Sequence, residues 1–262
     1  MRVKGDQRYI DAMLANTERF GTFTVELTAS GECCISASLA SDTPFYHALP
    51  KTGSLWGFDA NVENLLTGSD GERIKNPAYY CALEQKLIKQ QRKLSRRLEA
   101  AKKRCPNGMK LRQYLETCKN YQAQRRKVAA LHEHVKRQRA DYLHQVTKRA
   151  VKNHDLIAAE NLSVKSLFKN HCLAKAISDV SWGELFRQLR YKASLYRKTF
   201  IQVSPHYTTQ TCSDCGYVMQ GEEKLTLSDR EWICPNCGVL HDRDHNSAIN
   251  ILNRAMSQSA FA

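Results

Sequence analysis

Four cysteines near the C-terminus, in Cys212-Ser-Asp-Cys215 and Cys234-Pro-Asn-Cys237, constrain this 262-residue chain more than any other feature. In each pair a two-residue gap lets both thiolates grip one ion from a tight turn, and eighteen residues separate the pairs. That is zinc-ribbon spacing, in which tetrahedral Zn²⁺ pins two turns together without a hydrophobic core. Gly216 and Gly238 each follow the second cysteine of a pair, where such a turn often needs positive φ. A structural zinc site at Cys212, Cys215, Cys234 and Cys237 explains both thiol pairs and both glycines. Two chance thiol pairs in a loop would leave the glycines unexplained.

The other six cysteines (Cys33, Cys34, Cys81, Cys105, Cys118 and Cys172) form no disulfide-like framework. Adjacent Cys33 and Cys34 cannot easily both pair, and a zinc thiolate cluster favours a reducing compartment. No run approaches eighteen apolar residues, and no apolar stretch follows the basic Met1-Arg2-Val3-Lys4, so neither a membrane span nor a secretory signal is expected. The expected location is the cytoplasm. With 42% hydrophobic residues the chain can build one moderate core and a smaller appendage.

Acids at the ends of apolar runs point to chemistry. Leu55-Trp56-Gly57-Phe58-Asp59 reads as a short buried strand ending in an acid, followed by a second run, Val62 to Thr67, and a Ser-Asp-Gly turn at 69 to 71. Asp155 to Glu160 is another apolar strand ending in an acid. Beyond the ribbon, Ala248, Ile249, Leu252, Ala255 and Met256 mark one face of a helix beginning near Asn246. Asn246 is its expected N-cap, which puts Asp244 just ahead of it. A lone Asp in such a place is ordinarily a cap. Acids ending core strands are harder to explain by packing, because a buried carboxylate costs several kcal/mol unless paired or metal-bound. Three of them at one sheet edge would hold Mg²⁺, which prefers oxygen ligands and keeps waters for a phosphate substrate.

The net charge of +14 is unevenly spread. Residues 83–153 hold 21 Lys and Arg against 5 Asp and Glu, a balance of +16, and the remainder holds 19 against 21, a balance of −2. A solvated pair of lysine-rich helices would account for some of this. Concentration of the whole excess in one segment favours binding to a phosphate backbone. Leu83, Leu87, Leu94, Leu98 and Ala101 follow helical spacing up to Cys105-Pro106-Asn107-Gly108. A second pattern then runs from Leu111 through Val128 and Val135 to Val146. Two long antiparallel helices are expected, with Arg92, Arg96, Arg97, Arg125 and Arg126 off the apolar stripes. A further helix, Trp182 to Arg197, precedes a strand, Thr199 to Val203, the alternation of an α/β layer fold. Trp182 and Tyr191 are expected as core anchors rather than base-stacking residues. His206, His241 and His245 are expected as polar neighbours of the ribbon, since four thiolates already close a zinc site.

Five segments carry a resemblance to a known family. They are Gly57-Phe58-Asp59 with Asn64-Leu65, Ala159 to Lys165, Ala176 to Trp182, Tyr207 to Cys212, and Asp242-Arg243-Asp244-His245-Asn246. In this order they resemble the RuvC-like nuclease core and zinc ribbon of the transposon-encoded TnpB (OrfB) proteins, relatives of the type V CRISPR effector nucleases, over about three quarters of the chain. The resemblance implies an RNase H-like α/β core carrying an inserted basic helical hairpin and a C-terminal zinc ribbon. It implies that Asp59, Glu160 and Asp244 bind Mg²⁺ and cut DNA, with Asp244 favoured over Asp242 because it directly precedes the His-Asn pair. The partners implied are DNA and a transposon-derived guide RNA, in a prokaryotic cytoplasm at the nucleoid. Arg243 joins the hairpin arginines as an expected nucleic-acid contact.

The expected layout is a short β-rich N-terminal remnant at 1–50 and core segments at 51–76, 154–206 and 242–257. The hairpin occupies 77–153, the ribbon 207–241 and a tail 258–262. Only 58 residues precede Asp59, where family members usually have a far longer helical lobe and β-barrel. Phe20 to Ser38 suggests two or three strands of such a barrel. Two alternatives to a nuclease stand: a non-catalytic nucleic-acid-binding regulator, and a truncated, inactive transposase remnant.

Overall fold

The computed structural model describes residue 11 and residues 13–42, 47–163, 171–226 and 228–259. Val164 and Lys165 of the motif after Glu160, and residues 260–262 of the expected tail, lie outside them. The chain divides into two compact units, one of residues 1–47 and 79–138 and one of residues 48–78 and 139–262.

The first unit holds an antiparallel hairpin, β1 (Arg19–Leu27) and β2 (Cys33–Ala40), with helices α1 (Tyr79–Arg104) and α2 (Leu111–Thr117). It also holds the first part of α3 (Lys119–Asn153), which continues into the second unit from Arg139. Leu87, Ala101, Val128 and Val135 are buried, as the apolar stripes require. Gln124, also buried, donates to the carbonyl of Gln90 at 3.1 Å and to its side chain at 2.9 Å, tying α3 to α1. The second helical pattern is not one helix. It breaks at Cys118, whose N–H bonds back to Leu115 O and whose ψ of 84° leaves the helical range.

The second unit is built on a five-stranded sheet. Its strands are β3 (Leu55–Asp59), β4 (Asn64–Gly68), β5 (Arg73–Lys75), β6 (Leu156–Glu160) and β7 (Thr199–Val203), in the order β5-β4-β3-β6-β7. β3, β6 and β7 run parallel, and β4 and β5 are antiparallel to their neighbours. Helices α4 (His171–Val180) and α5 (Trp182–Leu195) precede β7, and α6 (Arg243–Ser259) closes the chain.

Alternation along the strands sorts the side chains. Trp56, Phe58, Ile157 and Ala159 join one buried cluster with Leu143, Val146 and Val151 of α3 and Leu185, Phe186 and Leu189 of α5. Leu156, Ala158 and Val203 pack on the other face against Ile251 and Ala255 of α6. A strand covered on both faces reads as an unbroken apolar run, which is why Leu156 to Ala159 has no polar residue. By the same parity, Asp59 falls on the side of Gly57 and Glu160 on the side of Ala158, the side that α6 covers. Gly57 and Ala158 are paired in the β3–β6 register, so the two acids end adjacent parallel strands.

α6 reaches β3 only because residue 57 is glycine. A Cβ there would lie 2.6 Å from Ala248 O, 2.7 Å from Leu252 Cβ and 2.8 Å from Leu252 N, and two of these are backbone atoms that cannot rotate away. We predict that Gly57→Ala lowers stability by at least about 2 kcal/mol, the cost of overpacking a closed interface. Gly183→Ala, where nothing lies within 4 Å of the added atom, is neutral or slightly stabilising. Thermal unfolding of both variants checks this; equal melting points would contradict it.

Candidate functional site

The four cysteines come together. Cys212 Sγ lies 3.7 Å from Cys237 Sγ, and Cys215 Sγ lies 3.6 Å from Cys234 Sγ, with all four ligand atoms within 4.8 Å of one another. Sulfurs at the corners of a zinc tetrahedron with 2.3 Å bonds stand about 3.8 Å apart, so these residues fit the ion. The two turns repeat one pattern. Gly216 N donates to Cys212 O and Gly238 N to Cys234 O, each at 2.9 Å, and the glycines have φ of 76° and 73°. The antiparallel strands β8 (Glu231–Ile233) and β9 (Leu240–Asp242) carry the second turn. Asn236 Nδ2 faces Cys215 Sγ at 3.5 Å and pulls that thiol below its ordinary pKa, toward the thiolate that metal binding requires. His241 is buried, stacked on Trp232, with Nε2 at 3.1 Å from Cys212 Sγ. It contacts a ligand sulfur that already has three thiol companions.

The acids gather where β3, β6 and α6 meet. Asp59 and Glu160 are both nine-tenths buried. Burial, then the charges of Glu160 and Asp244, push the Asp59 carboxyl up to about 8, against smaller opposing effects of Arg243 and Asn61. Burial also raises Glu160, offset by a hydrogen bond from the Thr208 hydroxyl and by the charge of Arg254. Asp244 Oδ2 accepts from Asn61 Nδ2 at 3.1 Å, and Arg230 Nη1 lies 3.6 Å from the same oxygen. Arg243 donates to Asp244 Oδ1 at 3.2 Å. Among the described residues, only the four cysteines and the overlapping set Cys212, Asp214 and His241 bring three such ligand atoms within 4.8 Å of one another. The three acids are electrostatic neighbours that do not clasp a single point. That suits a small, strongly hydrated cation, which takes one or two carboxylates and keeps its waters.

Two expectations are corrected here. Asn246 does not cap α6; the helix starts at Arg243, and Asp242 Oδ1 accepts from His245 N at 2.9 Å, the N-cap bond. Asp242 also pairs with Arg73 at 2.6 Å, while Asp244 sits in the first turn beside Asn61, Arg230 and Arg243. Asn246 is buried and bridges Thr211 O and Ser213 N. Arg243, expected on a nucleic-acid surface, is instead buried between Asp244 and Thr226 O, to which it donates at 2.9 Å. Arg92, Arg96, Arg97, Arg125 and Arg126 are all exposed, in the first unit. Asn61 and Thr208 had no signal in the sequence spacing, because neither residue type is distinctive and each meets its acid through the fold.

Residues 36–171, just over half of the chain, match the OrfB_IS605 family, described as "Probable transposase". The chain belongs to that family. Residues 182–251, which include the ribbon, match the Cas12f1-like TNB domain. This OrfB chain is 35% identical over 91% of its length to a Streptomyces pristinaespiralis protein named "Putative RNA-guided DNA endonuclease", covering 54% of that protein. It is 32% identical over 82% of its length to the Escherichia coli protein InsQ, which carries the same description, covering 52% of it. The chain thus spans about half the length of these relatives. A Cas12f1 chain from a complex with guide RNA and target DNA has a similar fold, with a TM-score of 0.51 at 15% identity over 89% of this chain and 56% of that one.

Two outcomes follow for the OrfB chain. Purified protein is expected to carry one zinc per chain, and Cys212→Ser or Cys234→Ser to lose it together with the folded ribbon, as read by metal analysis and proteolysis. Asp59, with its folded pKa raised, contributes stability below the unfolded value near 4 that is lost as pH rises through about 8. Asp59→Asn therefore stabilises zinc-loaded, magnesium-free protein at pH 9 and changes little at pH 4. Melting points that shift equally at both pH values would contradict the burial of this carboxyl.

Proposed function

We propose that this chain contains the catalytic core of a metal-dependent DNA endonuclease that hydrolyses phosphodiester bonds and is guided by RNA. The supporting observation is the convergence of two buried strand-end acids, Asp59 and Glu160, with Asp244 in the first turn of α6. An ordinary soluble core gains nothing from two buried strand-end carboxylates with a third acid beside them, Asp59 being pushed up by burial and then by its two neighbours. The strand order β5-β4-β3-β6-β7, in which β4 alone runs against the other four strands, supports reading this unit as RNase H-like and RuvC-like.

In this reading Asp59, Glu160 and Asp244 hold Mg²⁺. When bound, the ion activates a water and neutralises charge on the phosphodiester oxygens. The chain's own residues keep the acids aimed. Asn61 and Arg243 each donate to Asp244 and lower Asp59 toward its charged form, and Thr208 donates to Glu160. An added cation is favourable there, because it offsets both the burial and the neighbouring carboxylate charges that push Asp59 upward. The exposed arginines of α1 and α3 supply sequence-independent contacts to a nucleic-acid backbone. The names of the relatives, and the guide RNA and target DNA in the Cas12f1 complex, support RNA guidance; zinc in the ribbon has a structural role. Among the described residues no helix is long and apolar enough to cross a membrane.

The test is cleavage of labelled single- and double-stranded DNA with Mg²⁺, with and without RNA co-expressed from the same transposon. Asp59→Ala, Glu160→Ala and Asp244→Ala should each reduce cutting at least ~1,000-fold, the scale on which loss of a single essential catalytic group is read, whereas Asp242→Ala retains it wherever the helix still folds. Zinc-loaded, folded protein that binds nucleic acid and cuts nothing would support the non-catalytic reading.

A further inference from the structure

The turn that leads into the ribbon touches the acid site directly. Thr208 is 2% exposed, and its hydroxyl donates to Glu160 Oε1. The same Oγ1 lies 3.1 Å from Pro205 O, but a hydroxyl has one hydrogen, and a carboxylate is the stronger acceptor. Four residues after Thr208 comes Cys212, the first ribbon cysteine.

The backbone around Thr208 is fixed from two sides. Tyr207 adopts φ of 59°, a left-handed conformation that costs free energy for a bulky residue and persists only where its surroundings enforce it. Its carbonyl accepts from Gln210 N at 3.2 Å, Thr211 N at 3.0 Å and Thr211 Oγ1 at 2.7 Å. From α6, Asn250 Nδ2 donates to Thr208 O at 2.9 Å and to Thr211 O at 2.7 Å, and Asn246 adds its bond to Thr211 O. Asn246 and Asn250 are one turn apart on α6 and both are buried. The helix that carries Asp244 therefore grips the same turn that presents a donor to Glu160.

We propose that Thr208 is a positioning residue for Glu160, and that the turn at residues 207–211, clamped by Asn246 and Asn250, sets the relative placement of Glu160 and Asp244. The turn that enters the ribbon is then part of the acid site's scaffold. This rests on reading the acids as divalent-cation ligands. Loss of an outer hydrogen bond to a metal-binding carboxylate typically costs about 10–100-fold in metal affinity.

The experiment uses the full zinc-loaded chain and two readouts. Mn²⁺ binding followed by electron paramagnetic resonance should weaken at least about tenfold in Thr208→Val, which keeps the shape and removes the donor, and recover in Thr208→Ser. Unchanged affinity in the valine variant, or a serine variant as weak as valine, overturns the proposal. The second readout is melting temperature without added divalent ion. Thr208→Val should lower it in the native chain and much less in a Glu160→Leu background, where the acceptor is gone. Equal losses in both backgrounds overturn the proposal even if the native chain binds no Mn²⁺, a result that would count separately against the acid site.

Discussion

The contact between α6 and β3 at Gly57 is what the rest of the second unit depends on. Backbone meets backbone there, with no room for a methyl group, and that approach sets how far α6 lies from the sheet. The sheet's far face is packed by α3 and α5, so the sheet cannot retreat to relieve pressure from α6. Distance and register are thus fixed together. Ile251 and Ala255 seat against Leu156, Ala158 and Val203, and the first turn of α6 arrives at the ends of β3 and β6. Three acids from positions 59, 160 and 244 become neighbours through one close-packed interface, without any contact in sequence.

That arrangement is electrostatically uncomfortable on its own. Burial raises the proton affinity of both Asp59 and Glu160, and the charges of Glu160 and Asp244 raise that of Asp59 further. The protein answers with neutral donors from Asn61 and Thr208 and with Arg243 turned inward. These aim the oxygens without neutralising the whole cluster, which leaves the site favourable to an added cation. The cysteine cluster makes the opposite choice. Its four thiols meet at nearly tetrahedral separations and fit a single ion.

How much of this was legible in the sequence differs by mechanism. Cysteine spacing is a local code, and its four ligands could be named from the chain. Strands β3, β6 and β7 were legible because a short apolar run that stops at an acid or a Ser-Pro pair is too brief for a helix and too apolar for a loop. The helix start was misplaced because Asp242, Asp244 and Asn246 are all good caps, and only the His245 N–H decides between them. Arg243 is expected as a nucleic-acid contact; in the fold it is buried, donating to Asp244 Oδ1 and to Thr226 O, partners that sequence spacing does not bring together. The break at Cys118 was hidden by apolar spacing that continues across it. The roles of Asn61 and of Thr208, although Thr208 lies in a segment that carries the resemblance, were hidden for a simpler reason: their partners lie 183 and 48 residues away.

The basic first unit has a different logic. Its helices bury few side chains, and its exposed arginines have little packing role, so charge rather than core accounts for its composition. The acid site lies wholly within the second unit, and its placement follows from the packing of that unit alone. The most direct test is a crystal of the zinc-loaded chain soaked in Mn²⁺, with anomalous scattering measured at the zinc and manganese edges. The predicted result is zinc at Cys212, Cys215, Cys234 and Cys237 and manganese among Asp59, Glu160 and Asp244. Manganese absent from those acids at saturating concentration, or bound at Asp242 instead, would contradict the assignment of the site.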